Sequence, residues 1–438
     1  MNLANYTNES LCVESVPLNT VAEKYGTPAY VYSCAAIHHQ YRQLDAALEN
    51  QRHQICYAVK ANSNLGILSI LAQLGAGFDV VSSGELERVI QAGGQAEKIV
   101  FSGVGKSVED INFALKLGIQ CINVESQAEL LRIERQAELL GQIAPISIRI
   151  NPDIDAKTHP YISTGLTENK FGVTLDLAME LFSHAHASDH LEVKGIDCHI
   201  GSQITELAPL MDTAKALLKM ADNLAERGID ISHIDMGGGV GVDYCGEDVF
   251  SIQEYAEGLV HLLKGRNLTL LVEPGRYLVA NAGLLLTRVE YLKPGQEASK
   301  GRNFAIVDAA MNDLIRPALY QAQHRVKAIS QKEAISQKET ISQKEAISQP
   351  KKWDLVGPVC ESADFLAKNC ALTIQQGDLL AIMSAGAYGF VQSSNYNSRN
   401  RAPEIIISGD QMHLTRRRET ISDQLALEST FPHSTSNP

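Results

Sequence analysis

The chain has 438 residues, 45% of them hydrophobic and 20% charged, with a formal net charge of −13. That length exceeds one ordinary domain and leaves room for a large barrel plus a second domain, while the acidic balance argues against a nucleic-acid partner. No apolar run approaches the roughly 20 residues of a membrane-spanning helix. The first residues, Met1 to Tyr6, lack the basic start and apolar stretch of a secretory signal. Eight cysteines are scattered without a CxxC pair, which suits reduced thiols in a cytoplasmic enzyme better than disulfides or a zinc ribbon.

In chain order, Pro28–Tyr32 reads as a strand that returns to a later domain, so residues 1–36 are expected to join the C-terminal part. Between 37 and 282, eight short apolar runs follow: Ile55–Val59, Phe78–Val81, Ile99–Phe101, Cys121–Val124, Pro145–Ile150, Val193–Ile200, His233–Met236 and Leu268–Val272. Amphipathic stretches such as Gly84–Ala92, Val108–Leu117, Gln127–Leu140, Ala208–Glu226 and Ile252–Leu263 lie between them. Eight strands alternating with helices predict a parallel (β/α)8 barrel, with a doubly wound open sheet as the alternative. From 283 to 430 strand-like runs are joined by turns, which predicts a β-sandwich or β-barrel domain that also takes the N-terminal segment. Residues 328–350 repeat the hexapeptide Ala-Ile-Ser-Gln-Lys-Glu with variations. A six-residue period spreads its isoleucines over three helix faces, so the segment reads as a solvated, mobile insertion.

Polar and glycine-rich motifs recur where the barrel strands end, the face on which such barrels place their active sites. Lys60 follows the first strand, where desolvation is expected to lower its pKa and free a nucleophilic amine; the bland alternative is a lysine that snorkels to water. Asp79 ends the second strand. His199 and Ser202 follow the sixth, Gly237-Gly238-Gly239 the seventh, and Glu273-Pro274-Gly275-Arg276 the eighth. The glycine run suits a phosphate, its amides pointing outward, although a bare tight turn is the commoner fate of such runs. It is no dinucleotide fingerprint, because Val242 stands where GxGxxG needs glycine, and Val100 likewise excludes a P-loop at Val104–Ser107. His184, His186 and His190 fall near a helix end without a carboxylate pattern, so no metal site is expected.

A lysine, a phosphate cradle, a carboxylate and a flat aromatic group on one rim point to pyridoxal 5′-phosphate. Lys60 would hold it as an imine, Glu273 would pair with the ring nitrogen, and His199 would stack on the ring. In the later domain Cys360 follows a Gly-Pro turn, Tyr388 lies in Ala385–Gly389, and Arg316 with Tyr320 could grip a carboxylate.

Read together, Tyr57–Asn62, His199–Gln203, Gly237–Gly239, Glu273–Arg276, Arg316–Tyr320, Gly357–Ser362 and Gly386–Gly389 resemble the diaminopimelate decarboxylase family, in that family's order and over nearly the whole chain outside 328–350. The resemblance implies an alanine racemase-like fold and a homodimer whose active sites are shared between subunits. It implies loss of one carboxylate of meso-2,6-diaminopimelate to give L-lysine and CO2. Lys60, Asp79, His199, Ser202, Gly238, Gly239, Glu273, Pro274, Gly275, Arg276 and Tyr388 would hold the cofactor. Arg276, Arg316, Tyr320, Glu361 and Tyr388 would bind substrate, with Cys360 as proton donor from the partner subunit. Rival readings are an ornithine, lysine or arginine decarboxylase of the same fold, and a non-catalytic pyridoxal phosphate-binding homologue.

Overall fold

The computed structural model describes residues 3–155, 170–295, 301–330 and 350–431. In chain order the strands are β1 (Ala4–Thr7), β2 (Ser10–Val13), β3 (Val16–Pro17) and β4 (Ala29–Ser33), followed by β5 (His53–Ala58), β6 (Gly77–Val80), β7 (Ile99–Phe101) and β8 (Cys121–Val124). Next come β9 (Ala144–Arg149), β10 (Leu191–Asp197), β11 (His233–Asp235) and β12 (Thr269–Val272). The last eight are β13 (Gly283–Lys293), β14 (Phe304–Val307), β15 (Val326–Ala328), β16 (Lys351–Val356), β17 (Phe365–Leu372), β18 (Leu379–Ile382), β19 (Glu404–Ser408) and β20 (Gln411–Arg416).

Strands β5 to β12 close into a parallel barrel, and closure is made by β12 against β5, with Leu270 opposite His53. An open doubly wound sheet is thereby excluded. The strands are near-continuous apolar runs because both faces of a parallel barrel are covered. Their helices start on side-chain caps that satisfy orphan amides: Ser107 and Ser251 form capping boxes with Asp110 and Glu254, and Ser82 and Ser126 cap two more. The strand expected over Val193–Ile200 stops at Asp197. Beyond it the chain turns out to meet the glycine loop, with Cys198 N–H donating to the Asp235 carbonyl and Ile204 bridging Val240. His199 therefore sits on a loop and not in a strand.

The protein falls into two compact units: residues 1–3, 33–283 and 383–391 in one, and 4–32, 284–382 and 392–438 in the other. Met383–Val391, which sequence reasoning placed within 283–430, goes with the barrel. Its backbone is tied there, because Tyr388 N–H donates to the Ala61 carbonyl at 2.8 Å and Asn62 Nδ2 to the Gly386 carbonyl at 3.0 Å. A Cβ on Gly386 would lie 1.9 Å from the Val279 carbonyl, so only glycine admits this approach.

The second unit is a nine-stranded sheet running β17-β16-β14-β13-β4-β19-β20, with β18 pairing β13 and β15, accompanied by a three-stranded sheet β1-β2-β3. Most of the repeat segment lies outside the described residues. Its first residues do not read as an insertion: Ala328 ends β15, and Ile329 is buried, bonded to Leu379 and Leu11 through its backbone. Ladder pairing overrides the repeat there. Among the described residues no helix is long and apolar enough to cross a membrane.

Candidate active site

Lys60 lies in a short 3-10 turn that follows β5, and its Nζ is 2.8 Å from Asp79 Oδ2 at the end of β6. Asp79 is fully buried, whereas the Lys60 side chain is 39% exposed, so the amine faces an opening with its counter-ion behind it. The expected fall in the Lys60 pKa is not found. Burial does act downward, but the ion pair with Asp79 and the nearby Glu273 outweigh it and hold the ammonium above its ordinary value. The amine is stored protonated, and Asp79 is the group placed to share that proton.

Behind Lys60, Asp197, Asp235 and Glu273 gather at the carboxyl ends of β10, β11 and β12, all buried, with oxygens within 4.8 Å of one another. Burial pushes the Asp235 carboxyl up to about 7, against a hydrogen bond from Gly237 N–H, with Asp79 adding to the rise. Glu273 and Asp197 are raised by the same burial and by Asp235. Glu273 Oε1 and Asp79 Oδ1 are buried without a hydrogen-bond partner among the described residues. A cationic N–H placed at Glu273 would relieve both the orphaned oxygen and the crowding of like charge.

Arg149 at the end of β9 is the buried cation of this cluster. It binds Glu125 at 2.8 Å, approaches Asp197 at 3.8 Å and donates to the His199 carbonyl at 3.3 Å. Sequence reasoning passed over Arg149 and Glu125, although an arginine inside the run Pro145–Ile150 is itself a signal, since a charge in a buried strand needs a partner. The partly buried His199 accepts from Gly238 N–H at Nδ1, 3.1 Å away. Burial, then Arg149 and Lys60, keep its imidazole neutral, which leaves a flat uncharged ring beside the lysine.

In the glycine loop, two of the three amides are already engaged. Gly237 N–H is taken by Asp235 Oδ1 at 2.9 Å and Gly238 N–H by His199, so two of the three amides point into the protein. Glycine is required because a Cβ on Gly238 would meet the Glu273 carbonyl at 2.4 Å, and one on Gly239 the Gly201 carbonyl at 2.5 Å. Beside this loop, Arg276 donates to Ser202 Oγ at 2.9 Å and to the hydroxyl of Tyr244, missed from sequence, at 2.6 Å. Its guanidinium lies 4.8 Å from the centre of the Tyr388 ring. Gly275 lets this turn approach Ala61 and Ala58, where a Cβ would sit within 2.9 Å and 3.1 Å. Pro274 is buried, and its carbonyl accepts from Ala58 N–H. Cation, hydroxyl and the Gly239 end of the loop lie side by side, an arrangement that could hold an anion.

In the second unit, Arg316 opens a five-residue helix ending at Tyr320; it is buried, with His324 3.1 Å from its guanidinium. Cys360 and Glu361 are exposed on the loop after β16. Asp364 shapes that loop from within, accepting from Val359 N–H at 2.8 Å and Met311 N–H at 2.7 Å. Gly357 lies where a Cβ would press on Ala310 at 2.6 Å. His184 is exposed and pairs with Glu134 at 2.8 Å.

Residues 34–280 match the family model described as pyridoxal-dependent decarboxylase, pyridoxal binding domain. The chain is 54% identical to a diaminopimelate decarboxylase of Pseudomonas aeruginosa, with 99% of this chain and all of the relative aligned. It is 53% identical to one of Pseudomonas fluorescens at the same coverage. A crystal structure of diaminopimelate decarboxylase from Helicobacter pylori complexed with L-lysine superposes with a TM-score of 0.87 at 44% identity, covering 94% of this chain and 98% of that one. A buried carboxylate set behind a paired lysine, the Arg276–Ser202 pair beside it, and these full-length likenesses place the chain in the diaminopimelate decarboxylase family of pyridoxal phosphate-dependent enzymes.

Proposed function

We infer that the chain decarboxylates meso-2,6-diaminopimelate to L-lysine and CO2, the observation carrying this being the Lys60–Asp79 pair set against the buried Glu273 at the mouth of the barrel. Full-length identity to diaminopimelate decarboxylases favours this substrate over ornithine or arginine and favours an enzyme over a non-catalytic binder. Pyridoxal phosphate, when bound, supplies an electron-poor ring that takes up the electron pair left as CO2 departs.

The chain's own groups then have distinct tasks. Lys60 Nζ would hold the cofactor, with Asp79 Oδ2 placed to take its proton. Glu273 would pair with the ring nitrogen and keep it protonated, while burial, Asp235 and Asp197 raise the basicity of its carboxylate. His199, held by Gly238 at its ring and by Arg149 at its carbonyl, would stack on the cofactor ring. Ser202, Gly239, Arg276 and Tyr388 would secure the phosphate end, the Arg276 cation lying beside both the Tyr388 ring and Ser202. Arg316 and Tyr320 grip the carboxylate that is retained, and Glu361 holds the ammonium beside it. Cys360 Sγ gives a proton to the carbon that lost CO2 and recovers one from solvent.

We propose that two copies assemble and that Cys360 and Glu361 of each complete the partner's barrel; their exposure on a loop supports this. Mixing Lys60→Ala with Cys360→Ala protein tests it, because shared sites restore about a quarter of native activity in a statistical mixture. No recovery on mixing contradicts the sharing. We propose a cytoplasmic setting, supported by eight free thiols. CO2 release from meso-diaminopimelate, ornithine and lysine tests the substrate: release from ornithine alone would overturn it, and release from none would favour a binder.

A further inference from the structure

The Cys360-Glu361 loop is held from outside by a turn that no catalytic argument above has used. Asn397 Oδ1 accepts the Cys360 N–H at 3.1 Å, and the Tyr396 hydroxyl donates to the Glu361 carboxylate. These neighbours present their side chains from a 3-10 turn in which Asn397 and Ser398 have φ of 55° and 54°. Two consecutive left-handed residues without glycine are costly and persist only where the surroundings fix them. Here Asn395 Nδ2 donates to the Arg399 carbonyl at 3.0 Å, and Arg399 Nε to Asn312 Oδ1 at 3.0 Å. Ser394 N–H donates to the Asn312 carbonyl at 2.9 Å. Asn312 is buried four residues before Arg316, so one turn links the Cys360 loop to the segment that leads into the Arg316 helix. A cavity of about 400 Å³ lined by Met311, Asn312, Ile315, Ser394 and Tyr396 opens beside that segment.

We propose that Tyr396 and Asn397 are positioning residues with separable effects, Asn397 aiming the Cys360 thiol for proton delivery and Tyr396 orienting Glu361 for substrate binding. This rests on the roles given above to Cys360 and Glu361. The amide bond to Asn397 fixes the Cys360 backbone and hence the direction of its Cα–Cβ bond. The phenol occupies one Glu361 oxygen and turns the other towards an ammonium. A surface turn with no functional task would give neither effect.

The test uses the full chain loaded with cofactor. Asn397→Gly keeps the left-handed backbone and removes the acceptor, Asn397→Asp keeps both, and Tyr396→Phe removes one hydroxyl. We expect Asn397→Gly to lower kcat about 10- to 100-fold with KM for meso-diaminopimelate within about twofold, and Asn397→Asp to recover most of it. Tyr396→Phe should raise KM about 5- to 10-fold at nearly native kcat. Native kcat in Asn397→Gly, equal losses in Asn397→Gly and Asn397→Asp, or an unmoved KM in Tyr396→Phe overturns the proposal. Should Asn397→Gly fail to fold, the exposed Tyr396→Phe decides alone. Cys360→Ala and Glu361→Gln run alongside: if they are impaired and the turn variants are native, only the turn proposal falls, whereas native activity in both removes the reading beneath it as well.

Discussion

At the barrel rim Asp79, Asp197, Asp235, Glu273 and Arg149 are all buried, whereas Cys360, Glu361 and Tyr396 stand exposed on short loops of the second unit. At the rim, burial and mutual repulsion raise the Asp197, Asp235 and Glu273 carboxyls, Asp235 to about 7, so the cluster favours a further cation. The loop geometry is set instead by backbone N–H groups donating to Asp364 and Asn397. Under the proposed function, the first region would hold the cofactor and the second would serve the substrate. Damage to the first should release cofactor; damage to the second should leave cofactor in place and stop turnover.

The largest effect is expected at Lys60. Lys60→Ala should cost on the order of 10⁴-fold in kcat and abolish retention of the chromophore through dialysis; a retained, active chromophore would break the contrast. Cys360→Ala should lower kcat roughly 10²- to 10⁴-fold with the cofactor spectrum unchanged. Loss of the spectrum along with activity would mean that the loop shapes the rim directly. Glu273→Gln should lower kcat by about 10²-fold, read in steady-state assays of reloaded protein.

Two smaller effects concern stability and have opposite signs. Asp235 binds its proton up to about pH 7 when folded but only to its ordinary value of 3.8 when unfolded. The folded state therefore holds more protons between these limits, and the cofactor-free protein should lose roughly 1–4 kcal/mol as pH rises from 4 through 7. Calorimetry on Asp235→Asn should show that slope flattened, and an unchanged slope would assign it elsewhere. His233 runs the other way. It is buried against Ser147 at 2.9 Å, and burial lowers its pKa from 6.5 to about 4, so its stabilising neutrality is complete above 6.5 and is lost as pH falls towards 4. His233→Gln should reduce acid sensitivity in that window by up to about 3 kcal/mol; equal acid sensitivity in both proteins would refute this.

The barrel was legible because buried parallel strands must be apolar and their helices amphipathic, and five of the seven motifs read in order along the chain lie in its unit. The reading failed where a residue's fate depends on groups distant in sequence. Lys60 looked desolvated because Asp79 and Glu273, 19 and 213 positions away, are invisible from its own segment. That the Gly238 amide is taken could not be seen, because its acceptor His199 lies 39 positions upstream, whereas Asp235 beside the run takes the Gly237 amide locally. Arg149 hid inside a strand, and Ile329 looked like part of a repeat although its backbone completes a ladder. Tyr396 and Asn397 carry no local signal at all, because their partners lie 35 and 37 residues upstream.

The most direct test of the central claim is to reduce the loaded protein with borohydride and map the modified peptide by mass spectrometry. A pyridoxyl group on Lys60 is the expected result, and it should diminish when the reduction is made during turnover, with meso-diaminopimelate still in excess. Labelling at another lysine such as the buried Lys106, or no label on any peptide, would contradict the assignment of Lys60 as the cofactor's anchor.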